Sequence, residues 1–240
     1  MKNANIVFDE NNNPISLDFQ DNYYSLDNPI AEKTYVFLEQ NNIPNIWQNR
    51  DNFIIAENGF GLGLNFLLIL RAFVKDKNRC KKLTFFSYDL YPLKYEDLSK
   101  VYENFKELKP FTCKLLNEYK NLKSGANKFY FEEKNVELIL VIDEAKEALK
   151  RFTSMADVWF LDGFAPSKNS DIWQEDIFKL IALKSHKNTT FSTYTISGNV
   201  RRALKEAGFE VERVKGFGQK KEMIKGKLLS FCFNNKNSLI

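Results

Sequence analysis

Short apolar runs alternate with longer segments of helical periodicity along most of this chain. The run at 53–56 is long enough for a buried strand and too short for a helix. A glycine-rich turn and an apolar helix over about 64–74 follow it. Similar runs at 83–88, 136–142 and 156–161 predict further buried strands, each followed by an acidic residue. The chain therefore alternates between strand and helix from residue 53 onward.

The remaining pattern completes this alternation. Helices are predicted at 31–39, 94–105, 112–120, 144–151, 175–183 and 198–206, and strands at 129–131 and 189–193, with strand-like segments closing the chain. Before them, alternating segments at 6–8 and 15–19 flank a turn-rich stretch and predict a hairpin. Strands that alternate with helices indicate an α/β fold with a mostly parallel sheet and helices on both faces.

The domain organisation follows from length and from the absence of linkers. The chain has 240 residues, with no internal repeat and no low-complexity stretch. We expect residues 1–50 to form an extension packed on the core, and residues 51–240 to form one compact domain.

Composition narrows the functional classes. The polar, Asn-rich start does not resemble a signal peptide, and no apolar run has membrane-spanning length, so we expect a cytoplasmic protein without membrane association. Cys80, Cys113 and Cys232 form no CxxC pair, and only one histidine is present, so no metal site is expected. The net charge of +4 is compatible with nucleic acid, although the basic C-terminal part could equally be a solvated surface.

Four acidic residues follow four predicted strands: Glu57, Asp89, Asp143 and Asp162. In open α/β sheets, ligands bind in the crevice outside the carboxyl ends of the strands. Asp89 is placed to accept hydrogen bonds from ribose hydroxyls. Asp143 could reach an adenine amino group, or could simply cap the following helix. As a set, they predict a pocket for an adenosine-type ligand.

The turn after the first buried strand contains Gly59, Gly61 and Gly63. Glycines allow a sharp turn and bring the backbone close to a ligand at the start of a helix. Dinucleotide dehydrogenases use a similar turn, but Asn65 and Phe66 stand where their third glycine is expected. An NAD-type oxidoreductase is therefore a weaker alternative.

The segment 157–169 carries the most specific signal. A very apolar strand delivers Asp162 into an aromatic Gly/Pro loop, Gly163-Phe164-Ala165-Pro166. Such a loop can hold a carboxylate against a flat base. Tyr24 and Tyr194 are further candidates for pocket walls, although core packing would explain each of them equally well.

These motifs resemble the methyltransferase domain of the MnmC family of tRNA wobble-uridine enzymes. Residues 57–67, ENGFGLGLNFL, are similar to the family's E-x-G-F-G-x-G-x-N-F-L signature, and residues 162–169 with Trp173 to its D-G-F-A-P-x-K-N-P-x-x-W signature. A third similar block covers 200–223, and the early segments 21–25 and 35–38 also fit. The resemblance covers nearly the whole chain. Ile142 replaces a glycine that is common in the family, and Ser170 replaces a proline.

The resemblance implies a Rossmann-like class I methyltransferase fold that binds S-adenosylmethionine. It implies N-methylation of 5-aminomethyl-(2-thio)uridine at the tRNA wobble position, with Asp162 as the catalytic residue. The implied cofactor-binding residues are Glu57, Gly59, Phe60, Gly61, Gly63, Asn65, Asp89, Asp143 and Asp162. The implied substrate-binding residues are Tyr24, Phe164, Pro166, Lys168, Asn169, Tyr194, Arg201, Arg202, Lys220 and Lys221.

Members of this family often carry a second, FAD-dependent oxidase domain, and no second strand-GxGxxG-helix unit follows in this sequence. We therefore expect a stand-alone, monomeric methyltransferase, functionally linked to a separate oxidase or to the upstream wobble-modification enzymes. Methylation of another amine or nucleobase and a catalytically silent RNA-binding protein are the remaining alternatives.

Overall fold

The computed structural model describes residues 1–229 and contains eleven strands and seven α-helices within that part of the chain. The strands are β1 (Ile6–Phe8), β2 (Pro14–Ser16), β3 (Asp21–Asn22), β4 (Asn52–Asn58), β5 (Lys82–Asp89), β6 (Gly125–Phe131), β7 (Val136–Ile142), β8 (Ala156–Leu161), β9 (Ser185–Thr193), β10 (Phe209–Lys215) and β11 (Glu222–Leu228). The helices are α1 (Pro29–Lys33), α2 (Leu64–Lys75), α3 (Tyr95–Tyr102), α4 (Lys109–Tyr119), α5 (Ala145–Arg151), α6 (Glu175–Leu183) and α7 (Gly198–Glu206).

The apolar runs form an eight-stranded sheet in the order β10-β11-β9-β8-β4-β5-β7-β6. Its five central strands are parallel, and antiparallel strands flank them on both sides. A separate antiparallel sheet, β1-β2-β3, lies at the N-terminus. The predicted mostly parallel sheet with an N-terminal hairpin is confirmed.

Strand β4 lies between β5 and β8, so the chain order reverses at this position. Asn58 pairs with Leu161, and Asp89 pairs with Ile142 at the neighbouring ends. The residues that follow the central strands consequently meet at one edge of the sheet, which is where ligands bind in open α/β folds.

Alternate residues of the central strands supply two apolar cores, because successive side chains of a strand point to opposite faces. Phe53, Phe85 and Phe160 pack on the face covered by α2, α3 and α4. Phe86 and Trp159 pack on the face covered by α5, α6 and α7. Helices thus cover both faces, as the alternating pattern predicts.

Residues before β4 pack on the α2 side of the sheet. Phe37 and Trp47 are fully buried members of the same core, and Phe37 lies 5.2 Å from the Phe160 ring. The helix predicted at 31–39 is divided into α1, a π-helical turn at Thr34–Leu38 and a short 3₁₀ turn at Glu39–Asn41.

Several other boundaries also differ from the predicted ones, among them the start of β6 at Gly125 instead of 129 and the end of α3 at Tyr102 instead of 105. Strand β9 begins at Ser185 instead of Thr189, because Ser185 pairs with Ala156 of β8 although the polar residues 185–188 carry no apolar signal. Strand β3 was not predicted, since its two residues are polar and follow a turn. No helix within residues 1–229 is long and apolar enough to cross a membrane. Cys232 lies outside the described residues.

Candidate active site

A cleft of about 530 Å³ opens at the carboxyl edge of the sheet. This volume is in the range of pockets that bind small ligands. Its lining includes the glycine turn after β4, the ends of β5 and β7, the loop after β8, and residues of the N-terminal segment. Nine of the predicted site residues line it: Gly59, Phe60, Gly61, Asn65, Asp89, Asp143, Asp162, Phe164 and Asn169.

The glycine turn adopts a conformation that other residues rarely adopt. Gly59, Gly61 and Gly63 all have positive φ angles of 77°, 52° and 66°. A Cβ atom on Gly63 would lie 2.6 Å from the Phe60 ring, so the turn is closed by contact with its own aromatic residue. The turn leads directly into α2, whose first N–H groups face the cleft end of the sheet.

Four side chains form a hydrogen-bonded network beneath the turn. The Asn65 amide donates to Glu57 Oε1 at 2.7 Å and to Asp162 Oδ2 at 2.8 Å. Ser87 Oγ donates to Glu57 Oε2 at 2.7 Å. Asn65 Oδ1 is buried and has no hydrogen-bond partner within the described residues. The network thus fixes two carboxylates and leaves one acceptor free next to the cleft.

The two carboxylates of this network have different environments. Burial raises the pKa of Glu57 well above its usual range, and the charge of Asp162 raises it further. Asp162 instead forms an ion pair with Lys33, which reaches it from the end of α1, and accepts a bond from the Gly163 N–H at 2.9 Å. The structure therefore favours a neutral Glu57 behind an Asp162 side chain that is paired with Lys33.

Asp89 closes the opposite side of the glycine turn. Its carboxylate accepts the Gly61 N–H at 2.8 Å and the Tyr91 N–H at 3.0 Å. Burial raises the pKa of Asp89, while these backbone donors act in the opposite direction. The pKa of the adjacent Tyr23 hydroxyl is also raised, by burial and by the Asp89 charge. Asp89 is thereby oriented at the end of β5, beside the turn.

Asp143 lies at the outer end of the cleft and is more exposed. It accepts the Glu144 N–H at 3.0 Å and forms an ion pair with Arg151 at 3.2 Å. Both partners belong to α5 or to the residue before it. These contacts tie Asp143 to the start and end of α5, as a helix-capping role would require in part. Asp143 also lines the cleft, where a ligand could reach it.

The loop after β8 is held by hydrogen bonds to several elements. Trp173 Nε1 donates to the Phe164 carbonyl at 3.0 Å, and the Tyr194 hydroxyl donates to the Gly163 carbonyl at 2.7 Å. Asp21 of the N-terminal sheet accepts the Ala165 N–H at 3.1 Å. These bonds hold the backbone of the loop, and the Phe164 side chain lines the cleft.

Aromatic rings from three distant parts of the sequence form one wall of the cleft. Phe164 stacks on Phe19 with a centroid distance of 4.8 Å, and Tyr23 contacts it edge-on at 5.0 Å. Tyr91 lies 6.4 Å from Phe19. All four residues line the cavity, which gives it a flat, apolar side opposite the acidic network.

The other predicted site residues lie outside the lining of the cleft. Glu57 lies behind it and Gly63 at the start of α2, whereas Tyr24 packs on Phe105 and donates to Asn13 at 2.8 Å. Lys168 contacts Gln20 and Asp21 of the N-terminal sheet. Six more predicted site residues also lie outside the lining: Pro166, Tyr194, Arg201, Arg202, Lys220 and Lys221.

Several lining residues have no counterpart among the predicted ones. Lys33, Phe19 and Tyr23 all come from the N-terminal segment. The sequence pattern around Lys33 predicts only an amphipathic helix, and its contact with Asp162 spans 129 positions. The segment 21–25 was similar to the family motif, but only the structure shows that it reaches the cavity.

Comparison with known proteins agrees with this architecture. Residues 106–228 match the model of a family described as S-adenosyl-L-methionine-dependent methyltransferase. The chain is 37% identical over 226 residues to the tRNA 5-methylaminomethyl-2-thiouridine biosynthesis bifunctional protein MnmC of Azoarcus sp., covering 94% of this chain and 36% of that protein. The Campylobacter concisus protein of the same name is 42% identical over 223 residues, covering 93% and 35%.

Among solved structures, MNMC2 from Aquifex aeolicus superimposes with a TM-score of 0.70 at 22% identity, covering 95% of this chain and 71% of that chain. This likeness shows the fold, and the expected Rossmann-like methyltransferase fold is confirmed. The chain spans about a third of the length of the curated relatives that it matches.

Proposed function

Because this chain belongs to the S-adenosyl-L-methionine-dependent methyltransferase family, we propose that it transfers a methyl group to the amine of 5-aminomethyl-(2-thio)uridine at the tRNA wobble position. The observation that carries this proposal is the position of Asp162. Its carboxylate already holds an alkylammonium group, that of Lys33, inside a cleft with an aromatic wall. A carboxylate beside stacked rings suits an amine attached to a flat base.

The residues of the cleft fit the cofactor. The positive-φ glycine turn presents bare backbone, Asp89 is oriented to accept hydrogen bonds from ribose hydroxyls, and the free Asn65 Oδ1 is available to an ammonium donor. S-adenosylmethionine is a cation with several N–H and O–H donors, and it therefore matches this acceptor-rich surface. On this basis we assign Gly59, Gly61 and Asn65 to the methionine part and Asp89 to the ribose, with Asp143 nearest the adenine.

When bound, the cofactor supplies an electrophilic methyl group on a sulfonium. Methyl transfer is an in-line displacement, so alignment of the two reactants contributes much of the rate enhancement. An alkylamine has a pKa near ~10, and only its neutral form attacks. Asp162 would orient this amine by accepting an N–H bond and would stabilise the positive charge that develops on nitrogen.

Phe164 and Phe19 would hold the uracil ring. Their faces are stacked at 4.8 Å, and both line the cavity. Stacking of a base on an aromatic side chain contributes about 1–3 kcal/mol and does not depend strongly on the base. The aromatic wall would thus hold the base while Asp162 selects its aminomethyl group.

The names of the curated relatives support tRNA as the partner. Phosphate contacts are proposed for the basic residues near the loops at this edge, namely Lys168, Arg201, Arg202, Lys220 and Lys221. Such contacts would make tRNA binding fall steeply with salt. We further propose that the protein acts in the cytoplasm, as a monomer, on tRNA prepared by an oxidase or by the upstream wobble-modification enzymes.

Labelled S-adenosylmethionine, incubated with this protein and tRNA from cells that lack it, tests the proposal. Nucleoside mass spectrometry should find the label in 5-methylaminomethyl-(2-thio)uridine. Label in another nucleoside would assign a different substrate to the same site. Absence of label, despite measured cofactor binding and aminomethyl-uridine in the tRNA, would refute the proposed substrate.

A further inference from the structure

Lys33 occupies a position that the proposed reaction requires for its substrate. Its ammonium group contacts Asp162 Oδ2, and the two side chains are only 11% and 10% exposed. Asp162 also accepts bonds from Asn65 at 2.8 Å and from the Gly163 N–H at 2.9 Å. With three donors already on this carboxylate, an additional ammonium group has little room to bind.

Lys33 is held in this position by the packing of its own helical segment. Its ammonium lies 5.2 Å from the centre of the Phe37 ring, and Phe37 is fully buried. The preceding residue, Glu32, is also buried and pairs with Lys220 at 2.8 Å. Two consecutive ion pairs therefore attach α1 to the methyltransferase core, and only the one made by Lys33 points into the cleft.

The Lys33 side chain and the proposed substrate end in the same chemical group, a primary amine on a methylene carbon. One carboxylate in a confined site cannot give both ammonium groups the same close contact. We propose that Lys33 occupies the amine subsite at Asp162 and competes with the substrate amine for this carboxylate. This inference rests on the proposed function, because it takes Asp162 as the group that receives the amine.

The arrangement has an energetic reason. A buried carboxylate without a cation is costly, and Glu57 places a second carboxyl group on the other side of Asn65. Lys33 supplies Asp162 with a cationic partner that another amine can replace. Its flexible four-carbon stem allows the ammonium to leave while the helix stays in place. Substrate binding then exchanges one ammonium for another, so part of the amine's binding energy is used to displace Lys33.

The test compares two synthetic anticodon stem–loops, one with 5-aminomethyluridine and one with 5-methyluridine at the wobble position. The ratio of their dissociation constants, measured by calorimetry with S-adenosylhomocysteine present, defines the amine preference. Lys33→Met should increase this preference about tenfold, since charged hydrogen bonds have values of that order. Lys114→Met, which removes an exposed ion pair with Glu132, is the matched control and should leave it unchanged.

An unchanged or smaller amine preference in Lys33→Met would overturn the inference, because a lysine that merely supports Asp162 would weaken amine binding when removed. Lys33→Gln provides a second variant if Lys33→Met is poorly folded. Asp162→Asn should abolish the preference in either background. Methyl transfer by the wild-type protein is measured separately: its absence refutes the proposed function, whereas the binding ratio still decides the role of Lys33.

Discussion

The cleft has two parts of different origin. Its floor is formed by residues at or just after the ends of the central strands: Gly59, Gly61, Asn65, Asp89 and Asp162. Its rim is formed by residues of the N-terminal segment: Ser16, Asp18, Phe19, Asn22, Tyr23 and Lys33. The floor is built from backbone turns and internal hydrogen bonds, while the rim contributes two aromatic rings, the Lys33 cation and three polar or acidic side chains. On the proposed function, the floor would bind the cofactor and the rim would bind the accepting nucleotide.

Asp162 lies where the two parts meet, and its substitution should have the largest effect. Asp162→Asn keeps the size of the side chain but removes the charge that would stabilise the developing ammonium. The turnover number should fall by about a hundredfold or more, as for loss of comparable transition-state contacts. Cofactor affinity, measured by calorimetry, should change little. Near-normal turnover would exclude Asp162 from the reaction.

A substitution in the glycine turn that carries the floor should affect both the stability of the fold and the binding of the cofactor. Gly63→Ala forces alanine into a left-handed conformation and places its Cβ 2.6 Å from the Phe60 ring. We expect a loss of about 1–3 kcal/mol in the free energy of unfolding and weaker S-adenosylmethionine binding. Gly198→Ala is the control, because no atom lies within 4 Å of its Cβ position. Equal effects at both glycines would contradict the role of the turn.

A substitution in the rim should affect tRNA alone. Phe19→Ala removes the ring stacked on Phe164, so the KM for tRNA should rise about tenfold, in line with the contribution of one stacked base. The dissociation constant of S-adenosylmethionine should stay at its wild-type value. Val7→Ala, an exposed apolar residue of β1, serves as the control. A parallel loss of cofactor binding would mean that floor and rim are not separable.

The smallest expected effect is that of substituting Glu57, which lies beneath the floor, on the pH dependence of stability. Because its pKa is raised, the folded state keeps a proton that the unfolded chain releases above ~4.3. The free energy of unfolding should therefore fall as pH rises from there toward the raised pKa of Glu57. Glu57→Gln removes this contribution to the pH dependence and leaves the contribution of Asp89, whose pKa is also raised and whose effect has the same sign.

Urea unfolding across about pH 5 to about pH 8 measures this difference, since the pH slope is the derivative of stability. The exposed Glu103→Gln is the matched control and should retain the wild-type slope. A slope in Glu57→Gln as steep as in the wild type would show that Glu57 is ionised in the folded protein.

The floor could be predicted from the sequence, whereas the contribution of Lys33 to the rim could not. The floor follows from local signals, because an apolar run, a glycine turn and an acid at each strand end lie within a few residues of one another. Asp89 and Asp162 were therefore located at the same edge from the pattern alone. The role of Lys33 was not, because nothing near it in the sequence distinguishes it from any lysine of an amphipathic helix.

The same reasoning applies to the fold. The parallel order follows from strand–helix alternation, but the π-helical turn at Thr34–Leu38 and the polar start of β9 depend on contacts with distant residues. The contacts of Lys220 also depend on residues that are distant in the sequence. It was predicted to contact substrate from its basic surroundings, and the structure pairs it with Glu32 and places it 4.5 Å above the Tyr194 ring.

The contact between Lys33 and Asp162 also has a consequence for the order in which the protein is made. Lys33 and Phe37 leave the ribosome before their partners Asp162 and Phe160 have been translated. At usual rates of synthesis, the intervening 129 positions correspond to a delay on the order of ten seconds. During that interval the N-terminal segment has no strand β8 to pack against. The contact at which the rim meets the floor therefore cannot form until strand β8 and Asp162 have been synthesised.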